Sequence, residues 1–433
     1  MKHERLKNMK QLSLILIGGG DRGSSYLKYL QEKPEHFKLV AIAEPVRDKR
    51  EFLRKMYNVP SDMCFEGYQE LLSRPKFADI VMVCTQDKMH FEPAMMAIKR
   101  KYDILLEKPI APTPHECLKI AEASKENNVK VLVCHVLRYT PFYKFIKNFI
   151  DSGKLGDIVN IVHTEGVGNV HMSHSFVRGN WRKTDESAPM ILAKCCHDTD
   201  LLQWLLNEEC TKVQSFGSRT YFNEENAPIG AVKRCTDDCP NKDICFYYAP
   251  SLYKIKTTEV QHFRAIVANK FEPTDEEVDE VLKTSPYGRC VYYCDNDVVD
   301  NQIVNMEFGN KHATLTMSAF NKGGRTTVFM GTNGELRADM EKQTLYFYDF
   351  ATLETKQIYE PISDFDQSIA GGHGGGDMGI MHDLYEYIAN NNPSNSISEI
   401  SVSALSHLIC FAAEESRLKN TVIDIASYAS SRM

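Results

Sequence analysis

The glycine-rich segment near the start of this 433-residue chain has the residue types and spacing to bind a dinucleotide. A short apolar run leads directly into Gly18, Gly20 and Gly23, which follow a G-x-G-x-x-G spacing. The first glycine permits a tight turn, the second lets the backbone approach a pyrophosphate, and the third lets the next helix pack on the sheet. Free N–H groups at the start of that helix would hold the anion. Asp21 and Arg22 lie in the same turn and are also candidate cofactor ligands.

A carboxylate in position to bind a ribose follows the second apolar run. This run, Phe37–Ala43, ends at Glu44, the distance after the glycines at which a dinucleotide-binding unit carries its ribose-binding acid. A carboxylate accepts hydrogen bonds from the adenosine ribose hydroxyls and repels the 2′-phosphate of NADP. The sequence therefore predicts NAD as the cofactor and NADP as less favoured, although Arg47 and Arg50 nearby could soften that preference.

The elements that must position these residues alternate between strand and helix over positions 10–135. The strands at 80–84 and 129–134 are nearly all apolar, as strands covered on both faces should be. Such alternation predicts an α/β Rossmann domain with a doubly wound parallel sheet. Residues 136–433 carry longer strand-like runs with helical interruptions, and they predict an α+β domain for substrate binding and oligomerisation with a large, mostly antiparallel open sheet.

A polar stretch at about residues 223–289 is rich in Cys, Pro, Asp and Lys and predicts an insertion into the second domain. Its candidate metal ligands are Cys235, Cys239, Cys245 and Cys290. Four thiolates could close a tetrahedral, structural zinc site and stabilise a segment too polar to hold itself together. The spacing is not that of a standard zinc knuckle, however, and a chain with thirteen cysteines could equally keep free thiols.

Composition limits the partners and the compartment. A formal net charge of −7 with both signs mixed along the chain argues against a nucleic-acid partner. No run approaches the ~18 apolar residues of a membrane span, and the N-terminus lacks the apolar core of a signal peptide. Many cysteines fall within apolar runs and are typical of reduced, buried thiols. We therefore expect a cytoplasmic protein that does not contact membranes.

Three further segments, combined with the glycine turn, give the chain a family resemblance. They are residues 84–90 (CTQDKMH), 105–110 (LLEKPI) and 135–141 (HVLRYTP). With them the sequence resembles the Gfo/Idh/MocA family of sugar and polyol oxidoreductases over nearly its whole length. The resemblance implies a bound dinucleotide, a small hydroxylated substrate and a homodimer or homotetramer.

The resemblance also implies roles for the Glu107-Lys108-Pro109 segment. Lys108 matches the lysine that binds the substrate hydroxyl beside the nicotinamide. An ammonium there would stabilise the developing alkoxide as hydride leaves carbon, and we expect Pro109 in an unusual backbone geometry to aim it. Glu107, Thr85 and His90 are the remaining cofactor candidates of these segments.

The other catalytic candidates fall at residues 190–200 in the second domain. Many relatives carry D-x-G-x-H here, with the histidine as acid or base and the aspartate as its companion. His197 matches the histidine, but Ala193 stands where the aspartate would be. Lys194 is the nearest substitute, and a Lys-x-x-His pattern resembles a branch of the family. An imidazole titrates near neutrality, so His197 is predicted as the base, with Lys194 acting electrostatically or, if desolvated, as the base.

Other polar residues are candidates for shaping the substrate pocket. They are Arg138, Tyr139, His174, Arg178, Trp181 and His373. His373 lies among glycines in a segment that resembles one that reaches the substrate in the family. Arg178 could equally be structural, and the glycines around His373 could form only a loop.

These observations predict an NAD-dependent oxidoreductase that transfers hydride between nicotinamide and a secondary hydroxyl of a sugar, polyol or sugar derivative. One alternative is an NAD-dependent glycosidase that acts by transient oxidation and elimination. Another is a non-enzymatic protein that senses a sugar or dinucleotide. Retention of Lys108 and His197 argues against the sensor, whereas the missing carboxylate at position 193 favours it mildly.

Overall fold

The computed structural model describes residues 10–270, 272–361 and 373–432, which form two compact units. The first unit contains the described residues of Met1–Ile146, Gly372–Leu408 and Ala426–Met433. The second contains those of Lys147–Gly371 and Ile409–Ile425.

The first unit is built on a six-stranded parallel sheet with the strand order β3-β2-β1-β4-β5-β6. The strands are β1 (Leu12–Ile17), β2 (Phe37–Ala43), β3 (Cys64–Phe65), β4 (Ile80–Val83), β5 (Asp103–Leu106) and β6 (Val131–Val133). Strands β1 and β4 are almost wholly buried because helices pack on both faces. The order reverses between β1 and β4, and sheets of this kind bind ligands beyond the carboxyl ends of the strands at that point.

Helices connect these strands in the alternation that the sequence predicts. They are α1 (Asp21–Glu32), α2 (Arg47–Met56), α3 (Tyr68–Ser73), α4 (Phe91–Lys99), α5 (Pro114–Asn127) and α6 (Pro141–Asp151). Helix α5 illustrates how the sequence fixes its ends. The Thr113 hydroxyl accepts a hydrogen bond from the Glu116 amide, Pro114 occupies the first turn, and Asn128 ends the helix in the left-handed conformation.

The second unit contains a nine-stranded sheet with the order β14-β13-β12-β11-β7-β10-β9-β8-β15. Its strands are β7 (Ile158–Gly166), β8 (Lys212–Ser218), β9 (Asn301–Phe308), β10 (Lys311–Ser318), β11 (Gly324–Gly331), β12 (Gly334–Asp339), β13 (Thr344–Asp349), β14 (Glu354–Gln357) and β15 (Ile423–Asp424). Strands β7 and β10 are parallel, and the other neighbours are antiparallel. The predicted fold class, a Rossmann domain followed by a mostly antiparallel α+β domain, is therefore confirmed.

The remaining helices complete the two units. They are α7 (Asn169–His171), α8 (Met190–Ala193), α9 (Cys196–Leu206), α10 (Ala249–Leu252), α11 (Thr258–Ala268), α12 (Asp275–Leu282), α13 (Gly376–Ala389), α14 (Ile400–Lys419) and α15 (Ile425–Ser430). A π-helical segment, Met172–Arg178, continues directly from α7. In the part of the chain that the structure describes, no helix is long and apolar enough to cross a membrane.

The cysteine-rich insertion has an apolar core of its own. Its helices bury a cluster that includes Tyr253, Phe263, Val278 and Leu282. The Arg264 guanidinium adds hydrogen bonds to the carbonyl oxygens of Tyr253 and Pro273 and an ion pair with Asp275 at 2.6 Å. The expectation that this segment is too polar to hold itself together is therefore wrong, because its apolar residues lie one helical turn apart and share buried faces.

The proposed zinc site at Cys235, Cys239, Cys245 and Cys290 is not supported. Within the described ranges, no group of three or more His, Cys, Asp or Glu side chains is arranged to hold a metal ion. Burial raises the pKa of the Cys290 thiol to about 11 and also raises that of Cys245.

Candidate active site

The glycine turn has the shape that a pyrophosphate requires. Gly18 has a φ of +92°, and a Cβ atom there would lie 2.5 Å from the Cys84 carbonyl oxygen. A Cβ at Gly23 would lie 2.4 Å from the Gly18 carbonyl oxygen. In front of Gly20, by contrast, no heavy atom of the described residues outside the immediate neighbours lies within 4 Å of the Cβ position, and α1 begins at the next residue with no side-chain cap from that part of the chain. The open space and the uncapped N–H groups fit a dinucleotide phosphate.

Glu44 follows β2 and lies against this turn. Its Oε2 accepts a hydrogen bond from the Gly19 amide at 2.7 Å, and its Oε1 accepts one from the Val46 amide at 2.8 Å. The Arg50 guanidinium donates to the Glu44 carbonyl oxygen and pairs with Glu66 at 3.3 Å. The ribose-binding role of Glu44 stays a prediction, and its carboxylate is beside the turn that the role requires.

The Glu107-Lys108-Pro109 segment follows directly after β5. The Lys108–Pro109 peptide bond is cis, which is the unusual geometry expected there. The buried His90 ring lies between two strand-end loops, with Nδ1 2.7 Å from the Pro109 carbonyl oxygen and Nε2 3.0 Å from that of Thr85. His90 thus fixes the backbone that carries Lys108, whose side chain is half-buried.

A buried ionic cluster joins the glycine turn to this segment; we call it the turn cluster, and its members are Arg22, Tyr26, Glu107, His373 and Asp377. Arg22 forms two hydrogen bonds with the Asp377 carboxylate, at 2.6 and 3.0 Å, and one with Glu107 at 3.0 Å. The Tyr26 hydroxyl donates to the same Glu107 oxygen at 2.5 Å. The guanidinium of Arg22 is thus committed to protein partners, and its predicted role at the cofactor remains untested.

Charges in the turn cluster are fixed by their neighbours. Burial is the largest influence on Asp377 and would raise its pKa, but the Arg22 charge and the hydrogen bond with His373 together outweigh burial and hold that pKa well below its usual range. The same opposition lowers the pKa of Glu107. His373 Nδ1 lies 3.3 Å from an Asp377 oxygen, and burial lowers the pKa of this imidazole. His373 therefore lies beside the glycine turn within the first unit, and its predicted substrate contact is untested.

A second buried cluster surrounds the catalytic candidates of the second unit; we call it the sheet cluster, and its members are His163, Glu165, Lys194, Asp198 and Arg325. The Lys194 ammonium lies 3.2 Å from Glu165 Oε1. Arg325 Nε lies 2.9 Å from Glu165 Oε2 and 2.7 Å from Asp198 Oδ1. His163 Nε2 is 3.0 Å from the same Asp198 oxygen.

Strand pairing explains how residues so distant in sequence meet in the sheet cluster. Arg325 of β11 stands opposite Glu165 of β7, and Thr327 stands opposite His163. Residues two apart on a strand share a face, so His163 and Glu165 point the same way. The Thr327 hydroxyl lies 2.7 Å from His163 Nδ1. Burial raises the pKa of Glu165, whereas at Asp198 the Arg325 charge and the hydrogen bond with His163 together outweigh burial and lower the pKa.

Sequence reasoning missed Glu165, Arg325, Asp198 and His163. A signal was present in β7, because His163 and Glu165 occupy positions whose alternation assigns them to the buried face. Polar residues at inward positions of a strand need partners and often mark a site. The identity of those partners could not be read from the sequence, because Arg325 lies in the adjacent strand β11, about 160 residues after Glu165.

The structure does not bring all of the predicted pocket residues together. His174 lies in the insertion core, stacked between Phe263 and Tyr287, and burial lowers the pKa of its imidazole to about 3. Arg178 is fully buried and donates to the carbonyl oxygens of Tyr247 and Arg289. These contacts favour the structural alternative for Arg178 and give His174 a packing role.

The remaining pocket candidates lie in other surroundings. Tyr139 and Arg138 are buried in the first unit, where the Tyr139 hydroxyl accepts a hydrogen bond from the Ser398 amide at 2.9 Å. Trp181 is half-buried next to Phe176 in the second unit. Their substrate contacts stay predictions.

His197 and Lys194 flank the start of α9. His197 lies in the first turn of this helix and is buried, and Lys194 lies between α8 and α9. Ala193 ends α8 and contributes only a methyl group. The carboxylate nearest Lys194 therefore comes from the sheet, not from position 193.

A dinucleotide-binding parallel sheet followed by a large mixed sheet defines a class of two-domain oxidoreductase, and comparison with known proteins gives the family. A model of the oxidoreductase family NAD-binding Rossmann fold matches residues 12–135, and a model of its C-terminal alpha/beta domain matches residues 147–411. The chain belongs to the Gfo/Idh/MocA oxidoreductase family.

Individual relatives are distant. YteT of Bacillus subtilis (strain 168), a protein named as an oxidoreductase, is 26% identical over 393 residues, which cover 86% of this chain and 88% of YteT. An inositol 2-dehydrogenase of Salmonella typhimurium (strain LT2) is 26% identical over 219 residues, 50% of this chain and 60% of the relative. A levoglucosan dehydrogenase solved with NADH and L-sorbose has a TM-score of 0.70 at 19% identity, covering 96% of this chain and 99% of that one. At that identity the likeness shows the fold alone.

Proposed function

We propose that this NAD-binding oxidoreductase transfers hydride between NAD and a secondary hydroxyl of a sugar, polyol or sugar derivative. The observation that carries the proposal is Lys108, which directly follows the buried, ion-paired Glu107 at the carboxyl end of a central parallel strand. The names of the inositol and levoglucosan dehydrogenases support the substrate class.

In the oxidative direction we propose the following role for each catalytic residue. NAD, when bound, accepts the hydride at nicotinamide C4. The Lys108 ammonium stabilises the alkoxide that develops on the substrate oxygen. His197 takes the hydroxyl proton, and Lys194, as an ammonium paired with Glu165, contributes its charge to the substrate. The substrate leaves as a ketone.

A screen of sugars, polyols and glycosides tests this proposal. NADH absorbance reports hydride transfer, and a parallel assay detects released aglycone. Oxidation of a sugar with stoichiometric NADH supports the dehydrogenase. Aglycone release without added NAD would replace it with the oxidation–elimination glycosidase, and binding of NAD without turnover of any compound would favour a sensor.

NAD is the proposed cofactor, in preference to NADP, because the carboxylate of Glu44 lies at the glycine turn and Arg50 is engaged with Glu66. Fluorescence titration with both dinucleotides tests the preference. Equal or tighter binding of NADP would overturn it.

We also propose a cytoplasmic homodimer or homotetramer. The open face of the nine-stranded sheet exposes apolar side chains on neighbouring strands, among them Val162, Phe216, Ile303 and Met330. Large exposed apolar patches mark interaction sites. Light scattering of the purified chain should therefore give a mass of two or four subunits, and Val162→Lys should lower it, whereas a monomer of the unaltered chain would contradict the proposal.

A further inference from the structure

The sheet cluster forms a line of alternating charges that ends at Lys194. From the inside outward, Asp198 contacts Arg325, Arg325 contacts Glu165, and Glu165 contacts Lys194. The Asp198 and Glu165 side chains are 0% and 1% exposed, whereas the Lys194 side chain is 19% exposed. The Arg325 side chain is 11% exposed, so Lys194 is the most exposed member of the line and the one best placed to meet a ligand.

We propose that Glu165 is a positioning residue that orients the Lys194 ammonium toward the substrate hydroxyl. The inference rests on the proposed function, which has Lys194 touch the substrate. Arg325, anchored on Asp198, orients Glu165 in turn.

The need for such a residue follows from the location of Lys194. Its backbone lies between two helices, and Ala193 beside it has no polar side-chain atom. A lysine side chain loses rotamer entropy when its ammonium is held in one place. A buried carboxylate at 3.2 Å supplies a fixed partner. Because strand pairing sets the place of Glu165, the sheet determines where the ammonium lies.

Other charged groups face this cluster and must be separated from Glu165 in any test. Glu259 of α11 and Glu341 of the turn between β12 and β13 both lie near enough for the Lys194 charge to favour their ionised forms, although burial raises the pKa of each carboxyl. Neither of them forms an ion pair with Lys194 among the described residues. Glu259→Gln is therefore a matched control.

The first experiment needs neither substrate nor turnover. The full chain, Glu165→Gln and Glu259→Gln are treated with acetic anhydride at pH 8, and acetylation of Lys194 is measured by peptide mass spectrometry. Loss of the paired carboxylate should increase acetylation of Lys194 about tenfold in Glu165→Gln and leave Glu259→Gln near the unaltered rate. Equal acetylation in all three proteins would overturn the proposal.

The second experiment uses whichever compound the sugar screen identifies. Misplacement of the ammonium should lower kcat by about 100-fold in Glu165→Gln, with a smaller change in KM. Glu165→Asp keeps the charge, withdraws it by one methylene and should restore part of kcat. If Glu165→Gln fails to fold, Glu165→Asp replaces it as the test. Lys194 acetylation and kcat that are both unaltered in Glu165→Asp would overturn the proposal.

The two experiments separate this inference from the proposed function. A response of Lys194 acetylation without oxidation of any sugar would leave the positioning role in place and remove the proposed reaction. Sugar oxidation with acetylation and kcat insensitive to Glu165 would do the reverse.

Discussion

The turn cluster and the sheet cluster each hold one arginine between two carboxylates, yet the pKa values of these carboxyls shift differently in the two clusters. Arg22 lies between Glu107 and Asp377, and the pKa of both carboxyls is lowered. Arg325 lies between Glu165 and Asp198, but only the pKa of Asp198 is lowered, whereas that of Glu165 is raised.

Burial raises the pKa of both Glu107 and Glu165, but the Arg22 and Lys108 charges outweigh it at Glu107 together with the hydrogen bonds there, whereas the Asp198 charge adds to the rise at Glu165. Glu107 accepts bonds from the Tyr26 hydroxyl and the Lys108 amide in addition to its ion pair with Arg22. Glu165 has the Lys194 ammonium at 3.2 Å and an arginine that it shares with Asp198. Desolvation of a carboxylate is offset only when its oxygens are well satisfied. The first cluster is therefore a fixed clamp, and the second contains a carboxyl that can change charge.

The sharpest test of this contrast compares two substitutions at the start of α9. If His197 is the base, His197→Asn should lower the rate of sugar oxidation by about 10²–10⁴-fold and flatten its rise with pH. Lys194→Met should lower the rate but keep the rise with pH, because it removes only charge stabilisation. Stopped-flow measurement of NADH formation between pH 5 and about 9 checks this. A flat profile in Lys194→Met with a retained profile in His197→Asn would make the lysine the base.

Lys108→Met tests the catalytic residue that the turn cluster supports. The ammonium acts at the developing alkoxide, so turnover should fall by about 10²–10³-fold. The affinity for NAD should stay nearly unchanged, because the phosphates are expected at the glycine turn. Steady-state kinetics and NAD fluorescence titration measure the two effects. Retention of most activity would reduce the Glu107-Lys108-Pro109 segment to a structural role.

The two clusters should also respond in opposite directions when stability is measured against pH. Asp377 has a lowered pKa, so its stabilising effect is present above the pKa of an unfolded aspartate and is lost as pH falls. Asp377→Asn should therefore lower the free energy of unfolding by about 1.5–3 kcal/mol at neutral pH, because Arg22 loses its two charged hydrogen bonds to Asp377 while it keeps its ion pair with Glu107. The deficit should shrink below about pH 4.

Glu165 has a raised pKa, so the sign is reversed. Its contribution to stability is full below the pKa of an unfolded glutamate and is lost as pH rises through the folded value. Relative to the unaltered chain, Glu165→Gln should become more stable as pH rises from 4 to about 8. Urea unfolding of both variants across pH measures this. Parallel pH trends for the two variants would remove the distinction between clamp and titrating carboxyl.

Strong local patterns allowed much of the fold to be predicted. Strands such as β9 and β12 alternate between inward and outward residues, which is the pattern by which a sequence indicates a strand. The short strands β3, β14 and β15 have too few residues to show a period, and pairing with their neighbours defines them. In the insertion, high polarity concealed helices whose apolar residues meet only in three dimensions.

The site, like the fold, could be predicted where its residues are close in sequence and not where strand pairing brings them together. The glycine turn and Glu44 are close in sequence, so their spacing indicated the dinucleotide ligand, while the hydrogen bond from the Gly19 amide to Glu44 was found only in the structure. The sheet cluster depends on the pairing of β7 with β11, which no local pattern specifies. His174 and Arg178 were assigned to the pocket because they are polar, whereas their partners lie in the insertion core.

The smallest expected effect concerns cofactor choice at the glycine turn. Glu44→Ser removes the carboxylate that would bind the ribose hydroxyls and repel a 2′-phosphate, so the preference for NAD over NADP should narrow by about tenfold. Glu51→Ser is the matched control, because it removes a nearby carboxylate that pairs with Arg54 and leaves the Arg50–Glu66 pair in place. Fluorescence titrations of both variants with both dinucleotides give the ratio of affinities. Glu44 also accepts hydrogen bonds from the Gly19 and Val46 amides, so the affinity for NAD should fall in Glu44→Ser as well. If the ratio of NAD to NADP affinity stays unchanged in Glu44→Ser, the role of Glu44 is to shape the turn and not to select the cofactor.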